Sequence, residues 1–500
     1  MLGAEEAAWI VVGAGSSGGV IAARATENAG VSVLLLEAGP DYPSEIPKDL
    51  ANGTRNSVIR HDWHYGHVPT DGQRIPFVFP RGRVVGGSSA VNTCIALRGR
   101  PYDYDEWDLR DWRWDRCLPA FKRLEADLDV DNDWHGQGGP IPIRRHRREE
   151  LVPWQAAFLD ACKMQSIPEC FDHNDPTQAG AGPHAMNKIG RERMSVLRCY
   201  LTGAVRRREN LRIEARTLVR RVLFDGRRVS GVEIERDGVV RTLRGRRVML
   251  CGGAINTPQI LLRSGVGPRD RVEKLGVELV REVPAVAARL LDHHGAAIFF
   301  VPRLGTFDLD DPFIQTLYRF TSEGSNHPND MQIQPGSLMP FPWFTAPLVT
   351  LMCQVGKPRG HGELHFDTPF GKPRIASHVL ERQEDRNKAL SALRRAYDVY
   401  AGGPMRSLAT LLWPRRKRLF GEEDWIRSVC DSGYHPCGTV PMGREGDANA
   451  AADSRGRVFG VDGLYVADAS LFPTVPSANT NLTAIMLGER FGEWMANGEL

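Results

Sequence analysis

Near the start of the chain, apolar residues come in short runs that break on glycine. Ile10 to Val12 is apolar and β-branched and stops at Gly13, which predicts a buried strand. Val20 to Asn28 then carries helical spacing, and Val31 to Leu36 is a second apolar run ending at Glu37. Strand, glycine turn, helix and strand make a βαβ unit, which implies a parallel sheet with a right-handed crossover. Further strand-like runs are Leu218 to Leu223, Gly231 to Ile234, Val248 to Cys251 and Leu464 to Val466. Between roughly 300 and 430 the pattern changes. This stretch is rich in Pro, Phe and Trp (Met339-Pro-Phe-Pro-Trp-Phe344) and holds a charged helical segment from Arg382 to Tyr397. It reads as a separate, substrate-side domain, with Phe341, Trp343 and Phe344 better taken as core than as pocket wall.

At 500 residues the chain is too long for one core, and two or three domains are expected. Hydrophobic residues at 42% and charged residues at 25% fit a soluble globular protein. A net charge of +3 gives no reason to expect a nucleic-acid partner. The densest basic run, Arg144-Arg145-His146-Arg147-Arg148, is followed at once by Glu149-Glu150 and reads as a solvated surface loop. No apolar stretch is long enough to span a bilayer, and the N-terminus lacks the positive region of a secretory signal. The nine cysteines are scattered with no CxxC pair, which argues against a disulfide framework or a metal site. Reduced thiols in the cytoplasm are the expectation.

Gly13-Ala14-Gly15-Ser16-Ser17-Gly18 is a GxGxxG loop between strand and helix. Gly13 permits the tight turn, Gly15 lets a pyrophosphate approach the backbone, and Gly18 lets helix and strand pack closely. Ser16 and Ser17 open the helix, whose free N–H groups and dipole favour an anion. Glu37, with Ala38 after it, ends the second strand where a carboxylate can accept from ribose hydroxyls. An acid there disfavours the 2′-phosphate of NADP. The loop alone does not separate FAD from NAD.

Longer motifs do. Gly82-Arg83-Val84-Val85-Gly86-Gly87-Ser88-Ser89-Ala90-Val91-Asn92, continuing through Ala96, Gly99 and Asp105, resembles the first signature of the glucose–methanol–choline oxidoreductase family. Gly253 to Gly267 resembles the second signature. Tyr434-His435-Pro436-Cys437-Gly438-Thr439 resembles the catalytic histidine segment, and Val466 to Ser470 with Asn479 to Thr483 resembles the flavin-closing segment. The blocks keep family order from residue 10 to residue 490. The middle domain matches poorly.

The resemblance implies an α/β fold: a Rossmann-like FAD-binding domain with a parallel sheet, and a discontinuous substrate domain with an antiparallel sheet and helices. The division drawn is 1–150, 187–296 and 431–500 for FAD, and 151–186 and 297–430 for substrate. It implies non-covalent FAD, because Val91 stands where some members carry a flavin-linked histidine. Val85, Gly86, Ser88, Asn92, Thr93 and Ile95 would lie against pyrophosphate and isoalloxazine, and Val219 would meet adenine through its backbone. Asp468 and Ala469 would reach the ribityl and pyrophosphate region, with Thr480 and Thr483 closing the site. Alcohol oxidation needs a base near neutral pKa, the role implied for His435. Asn479 would hydrogen-bond the substrate oxygen.

The sequence departs from the family at Thr480, where proline is usual. It departs again at Pro284-Ala285-Val286-Ala287, where glycines are usual and a rearranged loop is expected. Gly433 replaces a bulkier apolar residue of the choline-oxidase branch. That favours a quinone, dye or protein carrier over oxygen as electron acceptor. Besides oxidation of a small alcohol, two other activities occur among relatives: a non-redox hydroxynitrile lyase and a fatty-acid photodecarboxylase. No aromatic cage or paired carboxylate for choline is apparent.

Overall fold

Val11, Leu35 and Met249 are completely buried, so the strands carrying them have no solvent face. That is the condition of a central parallel strand covered on both sides. The computed structural model describes residues 8–73, 75–340, 345–421 and 424–500. In it β1 (Trp9–Val12), β2 (Val33–Leu36), β3 (Leu211–Glu214), β4 (Val248–Leu250) and β5 (Leu464–Val466) form one parallel sheet. Its order is β3-β2-β1-β4-β5. Helix α1 (Gly18–Ala25) follows β1 and α2 (Gly253–Arg263) follows β4. Helix α3 (Thr480–Ala496) packs along α1, where a Cβ at Gly488 would meet Ser17 O at 2.8 Å. The sequence ran the first helix to Asn28, but Thr26 Oγ1 folds back on Ala22 O and the chain turns there.

The middle region supplies an antiparallel sheet. Its strand order is Ala409–Trp413, His294–Pro302, Val349–Val355, Met331–Gly336, Thr316–Phe320 and Gly180–Pro183, with Asp431–Ser432 also paired to His294–Pro302. One face packs on the charged helix, which runs Gln383–Ala401; Ile298, Phe300, Ile333, Leu351, Leu393 and Val399 form this second core. The other face looks into a cleft. The expected α/β architecture, one parallel and one antiparallel sheet with helices, is therefore present. Residues Glu363–His365 and Arg374–Ala376 pair with each other and then with Tyr65–Val68, and Leu364, Phe366 and Ile375 join the core of the parallel sheet. The aromatic run Phe341, Trp343 and Phe344 lies outside the described residues.

The Pro284–Ala287 segment makes a left-handed turn without glycine: Ala287 has φ 57° and donates its N–H to Thr439 O at 2.8 Å. An alanine in that region carries strain of about 1–2 kcal/mol, held by its completely buried surroundings. One local expectation is corrected: the basic run is not simply a solvated loop. Arg145 is 1% exposed and bonds Asp127 at 2.9 Å and Asp172 at 2.6 Å.

Those carboxylates belong to a buried network. His135 lies 2.9 Å from both Glu125 and Asp127 and 2.8 Å from Asp172, and Arg98 bonds Glu125. Three carboxylates face two guanidinium groups and one imidazole, so the set is neutral only with His135 protonated. Burial opposes that charge, but the carboxylate hydrogen bonds override it and push His135 up to about 10. A raised histidine contributes stability in full below its unfolded pKa, about 6.5, and loses it as pH rises through the folded value. The melting temperature of the wild type should therefore fall between pH 6.5 and 10 relative to His135→Gln. Parallel curves for the two proteins would show that His135 is neutral.

Candidate active site

Glycine geometry first brings two distant segments together. A Cβ at Gly87, whose φ is 52°, would sit 2.6 Å from the Gly15 Cα. The dinucleotide loop and the Gly86-Gly87-Ser88-Ser89 turn thus meet backbone to backbone. Gly86 N–H donates to Ala14 O at 2.7 Å, and a Cβ at Gly18 would strike Gly13 O at 2.0 Å. At this junction opens a cavity of about 1270 Å³ that runs on to the antiparallel sheet.

Gly13, Gly15, Ser16, Ser17, Glu37, Ala38, Ser88, Asn92, Thr93, Ile95, Val219, Asp468, Ala469, Thr480, His435 and Asn479 all line it. Gly18, Val85, Gly86 and Thr483 stand behind the wall. Val85 N–H donates to Pro40 O at 3.0 Å, and Thr483 Oγ1 is 2.9 Å from Tyr104 OH. Asn481 and Tyr65, which the sequence reading passed over, also face the cavity. The helix α3 begins at Thr480, so its N-terminus points inward beside that of α1, and Ser16 Oγ donates to Asn481 Oδ1 at 2.8 Å.

The two acids are engaged by the protein itself. Glu37 accepts from Ala14 N–H at 3.0 Å and Gly39 N–H at 2.8 Å, so it shapes the loop it was expected to complement. Burial raises its carboxyl to about 7 against those hydrogen bonds. Asp468 accepts from Gly253 N–H at 2.8 Å, Ser470 N–H at 2.7 Å and the Thr257 hydroxyl at 2.5 Å. Its carboxylate caps α2, and burial still holds its pKa up. The Val219 carbonyl accepts from Arg263 at 2.7 Å.

At the other end of the cavity, His435 and Asn479 are in contact: Asn479 Nδ2 lies 2.9 Å from His435 Nε2. His435 Nδ1 lies 2.9 Å from His293 Nδ1, and His293 Nε2 lies 2.8 Å from Pro476 O. The direction of this chain follows from its last member. A carbonyl only accepts, so His293 carries its proton on Nε2 and accepts at Nδ1. His435 must then donate from Nδ1, which leaves Nε2 as a lone pair into which Asn479 Nδ2 donates. Burial, then the neighbouring His293 and Arg81, hold His435 well below the ordinary histidine range. Burial takes His293 down to about 4. Both rings are neutral near pH 7, and His435 presents a ready base.

The loop carrying His435 is fixed from beneath. Asp292 Oδ1 accepts the backbone N–H of His435 and of His293, each at 2.8 Å, while Asp292 Oδ2 takes the Ser432 hydroxyl. Tyr434 sits at φ 61°, a strained conformation held by Arg81 donating to its carbonyl at 2.6 Å and by its own N–H donating to Ser432 Oγ at 2.7 Å. Gly433 has a steric reason: a Cβ there would lie 2.7 Å from the His293 Cβ and 3.2 Å from His435 Nδ1. The histidine pair occupies the space a larger side chain needs. Sequence reasoning missed Asp292, His293 and Arg81. The available signal was Asp292-His293-His294, a polar trio interrupting an apolar run.

The chain that builds this cleft and its histidine–asparagine pair matches known proteins over its length. The family model described as GMC oxidoreductase matches in both its parts, the N-terminal over residues 7–295 and the C-terminal over 358–488. An oxygen-dependent choline dehydrogenase of Chromohalobacter salexigens is 33% identical over 540 residues, covering 98% of this chain and 95% of its own. A 5-(hydroxymethyl)furfural oxidase of Methylovorus is 30% identical, covering 97% and 98%. Among solved structures, pyridoxine 4-oxidase from Mesorbium loti superposes with a TM-score of 0.87 at 26% identity, covering 97% of this chain and 98% of that one. With more than half of its length matched and relatives of this identity spanning it end to end, the chain belongs to the GMC oxidoreductase family.

Proposed function

We propose that the chain holds FAD non-covalently in this cleft and oxidises a primary or secondary alcohol to an aldehyde or ketone, with His435 as general base. Family membership makes it a flavin-dependent oxidoreductase; the alcohol and the base are the finer reading. The observation that carries it is the deprotonated His435 Nε2 beside the Asn479 amide, at the end of a cavity that begins on a dinucleotide loop. The cavity fits the cofactor. The side-chain-free approach of Gly15 to Gly87 and the helix N-termini of α1 and α3 suit a pyrophosphate.

FAD supplies a hydride acceptor. The protein supplies the rest. His435 Nε2 takes the hydroxyl proton as the carbon–hydrogen bond breaks. Asn479 Nδ2, already aimed at that point, donates to the substrate oxygen and turns it so that its proton faces the base. His293 holds the proton on the far side of the ring, so Nε2 stays unprotonated before each turnover, and the substrate hydroxyl takes the place of the Asn479 N–H at its lone pair. The neighbours named as choline dehydrogenase and hydroxymethylfurfural oxidase support alcohol oxidation as the reaction class.

Anaerobic mixing of purified holoenzyme with a panel of alcohols should bleach the flavin. A flavin that stays oxidised with every alcohol, while a hydroxynitrile is cleaved, would replace this reading with a lyase. The attachment is tested separately. Val91 is 4% exposed and packs with Leu50, Val84 and Ala90, and it carries no group able to bond a flavin methyl. Acid precipitation should release all the FAD to the supernatant; yellow colour retained in the washed pellet would refute non-covalent binding.

A further inference from the structure

The inner face of the antiparallel sheet forms the wall opposite the histidine pair, and its residues fall into rows across the strands. Nearest the pair, Gln354 is opposite Gly295 on one side and Gln332 on the other. One step outward Met352 is opposite Ala297, and one step further Thr350 is opposite Phe299. The wall thus carries Gln354 beside the base and, further out, the apolar Met352 and Phe299 together with Gln334 and Thr350; the charged member of the first row, Arg319 opposite Gln332, is bonded to Ser477 O. Asp431, opposite Gly295 in the neighbouring strand, already accepts from Tyr434 OH at 2.6 Å and lies 3.0 Å from His67 Nε2.

The glutamines differ in what they do. Gln332 donates to Ser477 O at 3.1 Å, and Gln334 donates to Gln332 Oε1 at 2.8 Å, so both are tied into the fold. Gln354 is only 8% exposed, lines the cavity, and its Nε2 is buried without a partner among the described residues. A buried amide left unpaired costs free energy unless a ligand or water pairs it. It sits close to the chemistry: a methyl group at Gly433 would lie 3.2 Å from His435 Nδ1 and 3.3 Å from Gln354 Oε1.

We infer that Gln354 is a specificity-determining residue that hydrogen-bonds an uncharged oxygen of the substrate near its carbinol carbon, with an apolar tail lying over Met352 and Phe299. This rests on the alcohol-oxidation reading above and adds a substrate class: a neutral alcohol with an ether, hydroxyl or carbonyl oxygen about two bonds from the reacting carbon. Among the described residues, the charged groups of this wall are already engaged, Asp431 with Tyr434 OH and Arg319 with Ser477 O, which disfavours a fixed cation or a carboxylate in the substrate. An alcohol lacking the second oxygen leaves the amide unpaired and is penalised.

The test uses holoenzyme and two alcohols of matched length, 2-butoxyethanol and 1-heptanol. Anaerobic flavin reduction should favour 2-butoxyethanol by about ten-fold in reduction rate over dissociation constant. Gln354→Leu, with its FAD content checked, should bring the ratio close to one while keeping the acid ionisation of His435. Binding to the oxidised enzyme, read from the perturbation of flavin absorbance, should show the same preference without turnover. If neither alcohol reduces the flavin but the binding preference is present and is lost in Gln354→Leu, alcohol oxidation falls and this subsite stands. Equal treatment of the two alcohols by the wild type, or a preference that survives in Gln354→Leu, overturns the inference. Should Gln354→Leu not fold, the wild-type preference and its loss in Gln354→Met decide the matter.

Discussion

His435→Ala, purified with FAD bound, should reduce its flavin about 10²–10⁴ times more slowly than the wild type, the usual scale for losing a general base. The variant should fold, because among the described residues the His435 side chain bonds only His293 and Asn479, while its backbone N–H, unchanged by the substitution, still donates to Asp292. It should also keep FAD, whose loops lie in other segments. The pH dependence gives the sharper check. Burial lowers the imidazole pKa, so the wild-type rate should climb as pH rises through a single ionisation below 6.5 and be flat above it. His435→Ala should lack that step. Asn479→Ala should be milder and keep it, since an amide does not titrate. A stopped-flow trace of His435→Ala matching the wild type at every pH would falsify the assignment.

The second large effect is expected at His293, which touches the base rather than the substrate. His293→Leu fills the space but removes the acceptor for His435 Nδ1–H. The stranded donor costs about 1–3 kcal/mol, or the proton moves to Nε2 and blocks the base. Either route predicts a fall of about 10–100-fold in flavin reduction with FAD affinity unchanged. His293→Gln, which can both accept and donate, should recover part of the rate. A role confined to packing predicts the reverse order, with Leu better tolerated than Gln, and that order would remove His293 from the mechanism.

The sequence disclosed what is local. Gly13 to Gly18, the two flanking strands and Glu37 lie within one βαβ unit, and each needs only its neighbours to be read. His435 and Asn479 have no local signature of chemistry and were legible only through resemblance. What stayed hidden joins distant segments. His293 meets His435 across 142 positions, and only their contact explains why residue 433 has no side chain. The basic run misled for the same reason: Arg145 finds its carboxylates 18 and 27 positions away. Ala287 shows the complementary limit. Conformational preference disfavours its turn, but a fully buried setting and the Thr439 carbonyl impose it.

Both ends of the histidine relay return to one stretch of chain. Pro476 accepts from His293 and Asn479 donates to His435, while Ser477 between them donates to Asp103 at 2.6 Å and its carbonyl accepts from Arg319 at 3.0 Å. The circuit therefore closes through a few peptide bonds, and base and amide cannot drift apart independently. For directed evolution this divides control: substitution at 479 changes one pole of the circuit directly, whereas the other is a backbone carbonyl that substitution at 476 leaves in place. It also makes neighbouring changes epistatic, because a histidine at 479 could turn a ring N–H or a lone pair toward His435, and each choice selects different residues at 293. Adaptive routes to a two-histidine centre should thus favour paired substitutions at 293 and 479 over either single step.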